Sequence, residues 1–384
     1  MAANYNRGKV MKESIIKRVE IYAVADRNAE SLPWADNQEP LLYTNNIVRL
    51  ITEDGLEGVG ATISYTENDY DRCILEAMRT IVPGLIGKNA LMTEEINTWL
   101  MNRCSWGGLI AKSPIDIAAW DIKGKKAGMP LYMMLGGARN KMLSYASTPM
   151  FDTVEEYFPF IDGCIDHGFK AIKLHCYCVY EKDLKLVKAI QERYQDSGIA
   201  LMLDTATFYN QQEALNMAKL LDEYNWAWYE APVSDYDYAS YQRLVKETNL
   251  EISSHGNCLL TLQEVAFALA NNLWSDVRQD ATVCGGITPL NKCFALAEAH
   301  GKNLEIQSWG YTITQAANLH VALAHNNCRF FEQAYPYENF ELGSKNVIRT
   351  DKDGYVHAPE KPGLGIEMDW DVIRENAIGH YIFE

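Results

Sequence analysis

IALMLDTATFYNQQEALNMAKLLDEYNWAWYE, residues 199–230, places two short apolar runs on either side of a helical pattern. Runs 199–204 and 227–230 are too short for helices and are rich in apolar and aromatic residues, which reads as buried strand. Between them QEALNMAKLLDEY repeats apolar residues at helical spacing. A strand, a helix and a second strand imply parallel strands joined by a crossover. The same alternation runs outward in both directions, with candidate strands at 142–148, 171–175, 199–204, 227–230, 252–255, 276–279, 303–307 and 328–332. Eight strands in one register predict an α/β fold closed into a (β/α) barrel, of TIM-barrel type.

On the N-terminal side, IKRVEIYAV (16–24) alternates as a strand. NNIVRLITEDGLEGVGAT (45–62) reads as two strands turned at Asp54-Gly55. The polar loop 26–40 is long enough to be a lid. Helical patterns follow at 68–83 and 92–104. In SPIDIAAWDIKGKKAGMPLYMMLGG (113–137), Ser113 is read as a cap, and Ile115, Ala118, Ala119 and Ile122 as an apolar stripe. Residues 333–384 read as turns and short strands that return to the N-terminal part.

The chain has 384 residues, 48% hydrophobic and 22% charged, which suits a large core without disulfide staples. A net charge of −16 argues against nucleic acid or an anionic membrane as partner. A bound cation can still reverse the sign locally for an anionic substrate. The nine cysteines are scattered without CxxC pairs, which reads as reduced thiols in a cytoplasm. The first residues lack the apolar core of a secretory signal, and no run of about 18 apolar residues predicts a membrane span.

In a barrel of this kind, chemistry sits at the C-terminal ends of the strands. Those ends carry Lys173, His175, Asp204, Glu230, His255, Asp280 and Gln307. From Lys173 through Asp204, Glu230, His255 and Asp280 to Gln307, the separations are 31, 26, 25, 25 and 27 residues, each about one strand-helix unit. Lys173 and His175 stand two apart in one strand and share a face. Asp204, Glu230 and His255 end three consecutive strands, and two carboxylates with an imidazole describe a divalent metal site. Taken singly, each reads more readily as a cap, turn or core residue than as a ligand.

At this point the chain resembles the enolase superfamily, mandelate racemase-like branch. The residues that carry the resemblance are SPIDIAAWDIKGKKAGMPLYMMLGG, KLH, LMLD, WYEAPV, RQDATVCGGIT and PGLGIEMDW, in order and spacing over about 16–370. It implies a modified, (β/α)7β-like barrel over residues 136–335. It also implies an N-terminal α+β capping domain, 1–135, completed by 336–384, with specificity loops at 26–40 and 62–69. It further implies magnesium, or manganese, which holds a substrate carboxylate while a base removes the neighbouring proton to give a metal-stabilised enediolate. In this superfamily the base beside the metal is a Lys or a His. Asp204 and Glu230 match two family ligands. His255 stands where a third carboxylate is usual, as in a group of acid-sugar dehydratases, with Asn257 as the other candidate. Lys173 and His175 match the family's KxK strand, which makes His175 the base and Lys173 its electrostatic neighbour.

One departure bears on the reaction. Asp280 is present, but strand seven reads EIQSWGYT, with Trp309 near the place where the branch carries a histidine. The second proton carrier that a two-base racemase needs is absent. The resemblance therefore points to a hydro-lyase of carbohydrate catabolism. It would dehydrate an aldonate or aldarate to a 2-keto-3-deoxy acid, with Asp280 structural or bound to substrate hydroxyls. Trp34, Arg27, Tyr65, Trp309, Gln307 and Glu332 are the candidates to face substrate. An epimerase, racemase or cycloisomerase sharing the enediolate is the alternative, and a barrel retained only for binding is a third reading. The family commonly forms homo-oligomers, from dimers to octamers.

Overall fold

A computed structural model of the chain describes residues 13–29, 33–103 and 108–384. Two sheets organise them. Antiparallel strands β1 (Ile16–Ala25), β2 (Leu42–Thr52), β3 (Glu57–Thr66) and β13 (Ala377–Phe383) lie in the order β13-β1-β2-β3. Eight parallel strands follow: β4 (Lys141–Ser147), β5 (Ala171–His175), β6 (Ala200–Asp204), β7 (Trp228–Glu230), β8 (Ile252–Ser253), β9 (Val277–Gln279), β10 (Leu304–Ile306) and β11 (Phe330–Ala334). Their order is β8-β7-β6-β5-β4-β11-β10-β9, and one parallel bridge between Ser253 and Asp276 draws the two edges together. The result is a nearly closed barrel beside an antiparallel sheet, as the strand alternation predicts. Among the described residues no helix is long and apolar enough to cross a membrane.

Seven helices link the barrel strands: α5 (Val154–His167), α6 (Tyr180–Tyr194), α7 (Gln211–Glu223), α8 (Tyr238–Glu247), α9 (Leu262–Ala270), α10 (Ile287–Ala299) and α11 (Thr312–Ala324). Local chemistry starts several of them. The Asn210 side chain accepts from the Gln212 and Glu213 amides, and Glu213 reaches back to the Asn210 amide at 3.0 Å. Thr153 and Thr261 make the same reciprocal box at α5 and α9. Each helix then buries an apolar face on the sheet, as α7 does with Ala214, Leu215, Met217, Ala218 and Leu221.

Ahead of the barrel come α1 (Cys73–Ile81), α2 (Thr93–Met101), α3 (Ser113–Ala127) and α4 (Leu131–Leu135), and α3 joins the two sheets. Ile115, Ala118, Ala119 and Ile122 pack into the core of the antiparallel sheet, as their stripe predicts, while Ile117 packs into the barrel core. Sandwiched in this way, α3 also buries Asp116 and Asp121. Asp116 accepts from the Asn97 side chain and the Thr288 amide, and Asp121 from the Val59 and Leu364 amides and Lys125. Ser113 does not cap: it is the first helical residue, its hydroxyl donates to the Leu109 carbonyl and it accepts from the Gly285 amide. Close packing sets the residue type on β3, because a Cβ on Gly60 would stand 2.0 Å from the Pro114 carbonyl oxygen.

The C-terminal segment divides. β13 returns to the first sheet and pairs with β1. β12 (Tyr355–His357) instead pairs antiparallel with the lower half of β4, where β5 has not yet begun its own pairing at Ala146. A short barrel strand thus serves two partners along its length.

Within the fully buried α11, His320 ties these parts together. Its Nδ1 accepts from the Tyr132 amide at 3.1 Å and its Nε2–H donates to the Leu364 carbonyl at 3.1 Å. Burial, against that one backbone bond, pushes its pKa down to about 4 from 6.5. Below pH 6.5 the unfolded chain binds a proton that the folded chain refuses. The stabilising contribution of the neutral imidazole is therefore full above pH 6.5. It is lost as pH falls toward 4, by up to about 3 kcal/mol. Urea unfolding at about pH 7.5 and about pH 4.5 checks this: His320→Gln should lose less stability on acidification than the parent chain, and an equal loss would refute it.

Candidate active site

Strand register assembles the site. His175 is the cross-strand partner of Asp204, Asp204 of Glu230, and Glu230 of Ser253. Register partners point to one face, so these ends converge on one rim. A cavity of about 510 Å³ opens there, between the strand ends and the antiparallel sheet.

Its floor is ionic and buried. Lys173 Nζ reaches Glu230 Oε1 at 2.9 Å, Glu332 Oε1 at 3.0 Å and Asp204 Oδ2 at 3.3 Å. Arg278 Nε meets Glu230 Oε1 at 3.0 Å, its fork meets Glu332 Oε2 at 3.0 Å, and it donates to the Tyr145 hydroxyl at 3.1 Å. Three carboxylates thus share two fixed cations. Burial disfavours the Lys173 ammonium, but Glu230 and Glu332 outweigh it and hold its pKa up. Burial likewise opposes the Glu332 carboxylate, yet Lys173 and Arg278 take it down to about 2. Lys173 keeps Asp204 well below the usual carboxylate range against the same penalty. The surplus negative charge falls on Glu230, which burial pushes up to about 8 despite Arg278 and Lys173.

His175 faces this floor in a fixed tautomer. Its Nδ1 is bonded to the Thr148 carbonyl, and a carbonyl only accepts, so Nδ1 carries the proton. Nε2 is left as the basic nitrogen, 3.3 Å from Asp204 Oδ2. The Tyr157 hydroxyl donates to the His175 carbonyl at 2.9 Å and fixes the backbone. The ring lies between Trp34, nearly parallel at 6.1 Å, and Trp309, edge-on at 5.7 Å.

β8 ends at Ser253, two residues sooner than the sequence suggests, because the chain turns at Gly256 with φ +84°. A Cβ there would also stand 2.7 Å from Gln307 Oε1, so only glycine suits the turn. This turn carries His255 to the cavity wall, its amide donating to Asp235 Oδ1 at 3.0 Å. Burial lowers its pKa against the pull of Asp204 and Asp235, which favours a neutral imidazole.

The donor set suits a divalent cation. Glu230 Oε2 is buried with no hydrogen-bond partner, the floor holds more carboxylates than cations, and His255 offers a neutral nitrogen. Among the described residues no three Asp, Glu, His or Cys side chains converge as a ligand group, and Lys173 Nζ is bonded to both Asp204 and Glu230.

The other predicted residues separate. Trp34, Tyr65, Gln307, Trp309, Asp280 and Glu332 line the cavity. Arg27 does not: it is exposed, and Trp34 is the lining residue from its loop. Residues 33–36 of that loop are pinned across the mouth. The Asp36 amide donates to the Tyr177 carbonyl at 2.9 Å, the Met150 amide donates to the Pro33 carbonyl at 3.1 Å, and Lys182 pairs with Asp36 at 2.6 Å. Tyr65 is at the end of a strand rather than in a loop, because β3 continues to Thr66 and pairs Tyr65 with Tyr43. Asp280 is held by the Thr282 amide at 2.7 Å, the Thr282 hydroxyl at 2.8 Å and the Asn318 amide at 2.7 Å. Burial raises its pKa to about 6. Glu332 is fully buried, with both oxygens taken by Lys173, Arg278 and the Ser308 amide. Arg278, which the sequence reading does not single out, stands on β9 two residues before Asp280.

Comparison with known proteins agrees with this architecture. Residues 43–136 match the family model described as mandelate racemase / muconate lactonizing enzyme, N-terminal domain, and residues 161–372 match the one described as enolase C-terminal domain-like. A solved chain from Pseudovibrio sp., described at family level as a mandelate racemase/muconate lactonizing enzyme, is 73% identical, with a TM-score of 0.96, covering 97% of this chain and 100% of that one. The L-talarate/galactarate dehydratase of Salmonella typhimurium (strain LT2) is 27% identical over 351 residues, 86% of this chain and 82% of that protein. A structure of an L-talarate/galactarate dehydratase liganded with Mg and L-glucarate shares the fold, with a TM-score of 0.84 at 23% identity, covering 100% of this chain and 97% of that one. The 3,6-anhydro-alpha-L-galactonate cycloisomerase of Streptomyces coelicolor is 30% identical over 347 residues, 86% of this chain and 91% of that protein.

Removing one floor cation should be costly. Arg278→Met leaves Glu230 and Glu332 buried with one counter-charge fewer, and should lower unfolding stability by about 3–5 kcal/mol in urea. Lys219→Met, at an exposed pair, should leave the midpoint where it is.

Proposed function

The chain belongs to the mandelate racemase / muconate lactonizing enzyme family of the enolase superfamily, and from that premise we propose that it is an acid-sugar dehydratase. One observation carries the reading: the proton carriers stand on one side. His175 presents Nε2 to the cavity, Trp309 packs edge-on against its ring at 5.7 Å, and Asp280 is held by Thr282 and Asn318.

In this reading an aldonate or aldarate rests its carboxylate over the floor, and Nε2 of His175 takes the proton α to it. The proton leaves carbon, and its electron pair moves into the carboxylate. That group then carries a second negative charge, which the Lys173 ammonium offsets. Asp204, 3.3 Å away, stabilises the new imidazolium. The same Nε2–H then passes to the β-hydroxyl on that face as the carbon–oxygen bond breaks. Water leaves, a carbon–carbon double bond forms, and the enol tautomerises to a 2-keto-3-deoxy acid. Magnesium or manganese held by Asp204, Glu230 and His255 would supply further positive charge for the carboxylate.

The alternative, a racemase, epimerase or cycloisomerase, shares the first proton transfer, and the 30% identical cycloisomerase supports keeping it in view. A two-base racemase needs a second proton carrier, and the segment after β10 offers Trp309 where the branch carries a histidine. Incubation with C4 to C6 sugar acids and MgCl2 or MnCl2 should yield 2-keto-3-deoxy acids. An isomer formed without loss of water would replace this reading with the alternative.

His175→Asn should lower both dehydration and α-proton exchange in heavy water by about 10²–10⁴-fold. Asp280→Asn should retain exchange. The opposite pattern would place the base on the other wall.

A further inference from the structure

Resting on the dehydratase reading of the same site, we infer that the substrate is a sugar acid with a single carboxylate and an uncharged far end, an aldonate rather than an aldarate. The cavity has two unlike halves. Its ionic groups all come from barrel strand ends and their turns, and they form the floor and lower wall. The upper half is built from Trp34, Ile63, Tyr65, Leu109, Ile110 and Trp309. Three of these form one aromatic surface: Trp34 meets Tyr65 edge-on at 4.8 Å and Trp309 edge-on at 5.6 Å.

Neutral groups complete the upper half. Ser64 lines it, but its hydroxyl already accepts from the Asn46 side chain at 2.9 Å. The polar atoms buried there without partners are the Trp34 and Trp309 indole nitrogens, while Gln307 Oε1, also unpartnered, lies by the Gly256 turn. These suit hydroxyl groups. A carboxylate could accept from the indole N–H groups but would find no counter-charge there and would face the negative ring faces.

The cations decide the charge. Among the described residues, Lys173 and Arg278 are the only Lys or Arg side chains lining the cavity, and both are bonded in the floor. Arg27, which could have met a second carboxylate from the lid, is exposed outside the cavity. An aldarate bound by one end would carry its other carboxylate into the aromatic half without a counter-charge, and a desolvated, unpaired anion is strongly disfavoured. A hydroxymethyl or methyl end presents C–H groups that pack on aromatic faces.

The experiment uses matched pairs, D-gluconate with D-glucarate and D-galactonate with galactarate, plus 6-deoxy aldonates, all with MgCl2. Binding is measured by calorimetry and turnover as kcat/KM. In any pair that reacts, the aldonate should lead by about 100-fold or more. Tyr65→Lys, which sets a cation in the upper half, should bring the two to within about tenfold by raising the aldarate. Equal use of both acids by the parent chain, an aldarate preference, or no response to Tyr65→Lys would overturn the inference. If aldonates bind, aldarates do not, and neither loses water, the dehydratase reading falls and this inference stands. If neither class binds, both fall.

Discussion

Burying Asp204, Glu230 and Glu332 together at the mouth of a barrel is tolerable only because Lys173 and Arg278 are buried with them. Isolated, any of these charges would cost several kcal/mol to desolvate. As a set, they hold one another in place. Lys173 links β5 to β6, β7 and β11 through its three carboxylates, and Arg278 links β9 to β7 and β11. The network ties together strands that also carry the proposed ligands and base. Its arithmetic is incomplete, with three anions against two fixed cations, and Glu230 takes the strain as a raised pKa and an unpartnered oxygen. A site poised to accept one more cation is the natural consequence.

Around this floor the remaining structure is support. α3 is wedged between two cores, so the antiparallel sheet sits on the barrel as one piece, and the lid segment is pinned to the loops after β4 and β5. The segment after Pro33 places Trp34 over His175, and β3 places Tyr65 beside it. Charge therefore lies below and aromatic surface above. The floor can handle a carboxylate and a proton, while the upper half meets whatever the far end of the substrate presents.

Much of this was open to reading in the chain. The period of 25 to 31 residues between polar strand ends follows from the length of one strand-helix unit, and it singled out Lys173, His175, Asp204, Glu230, His255 and Asp280 without any knowledge of the fold's contacts. The barrel, the antiparallel sheet and the stripe on α3 were legible for the same reason: periodicity is a local property. Other features were not. Ser113 looked like a cap, but packing made it the first residue of the helix. Tyr65 looked like a loop residue, but pairing with β2 extends the strand through it. Arg27 and Trp34 were equal candidates in one polar loop, and only contacts with the barrel loops distinguish them.

The sequence by itself determined which residues reach the rim, because alternation along strands and the spacing between them are written one residue at a time. Only the tertiary structure decided what those residues do to each other. That Thr282 and Asn318 hold Asp280 in the absence of the branch's histidine depends on neighbours 2 and 38 positions away. Whether Arg278 faces solvent or completes the ionic floor depends on strands up to 133 residues apart in sequence. Electrostatic pairing acts through space, and no local pattern records which distant charge the fold will bring within 3 Å.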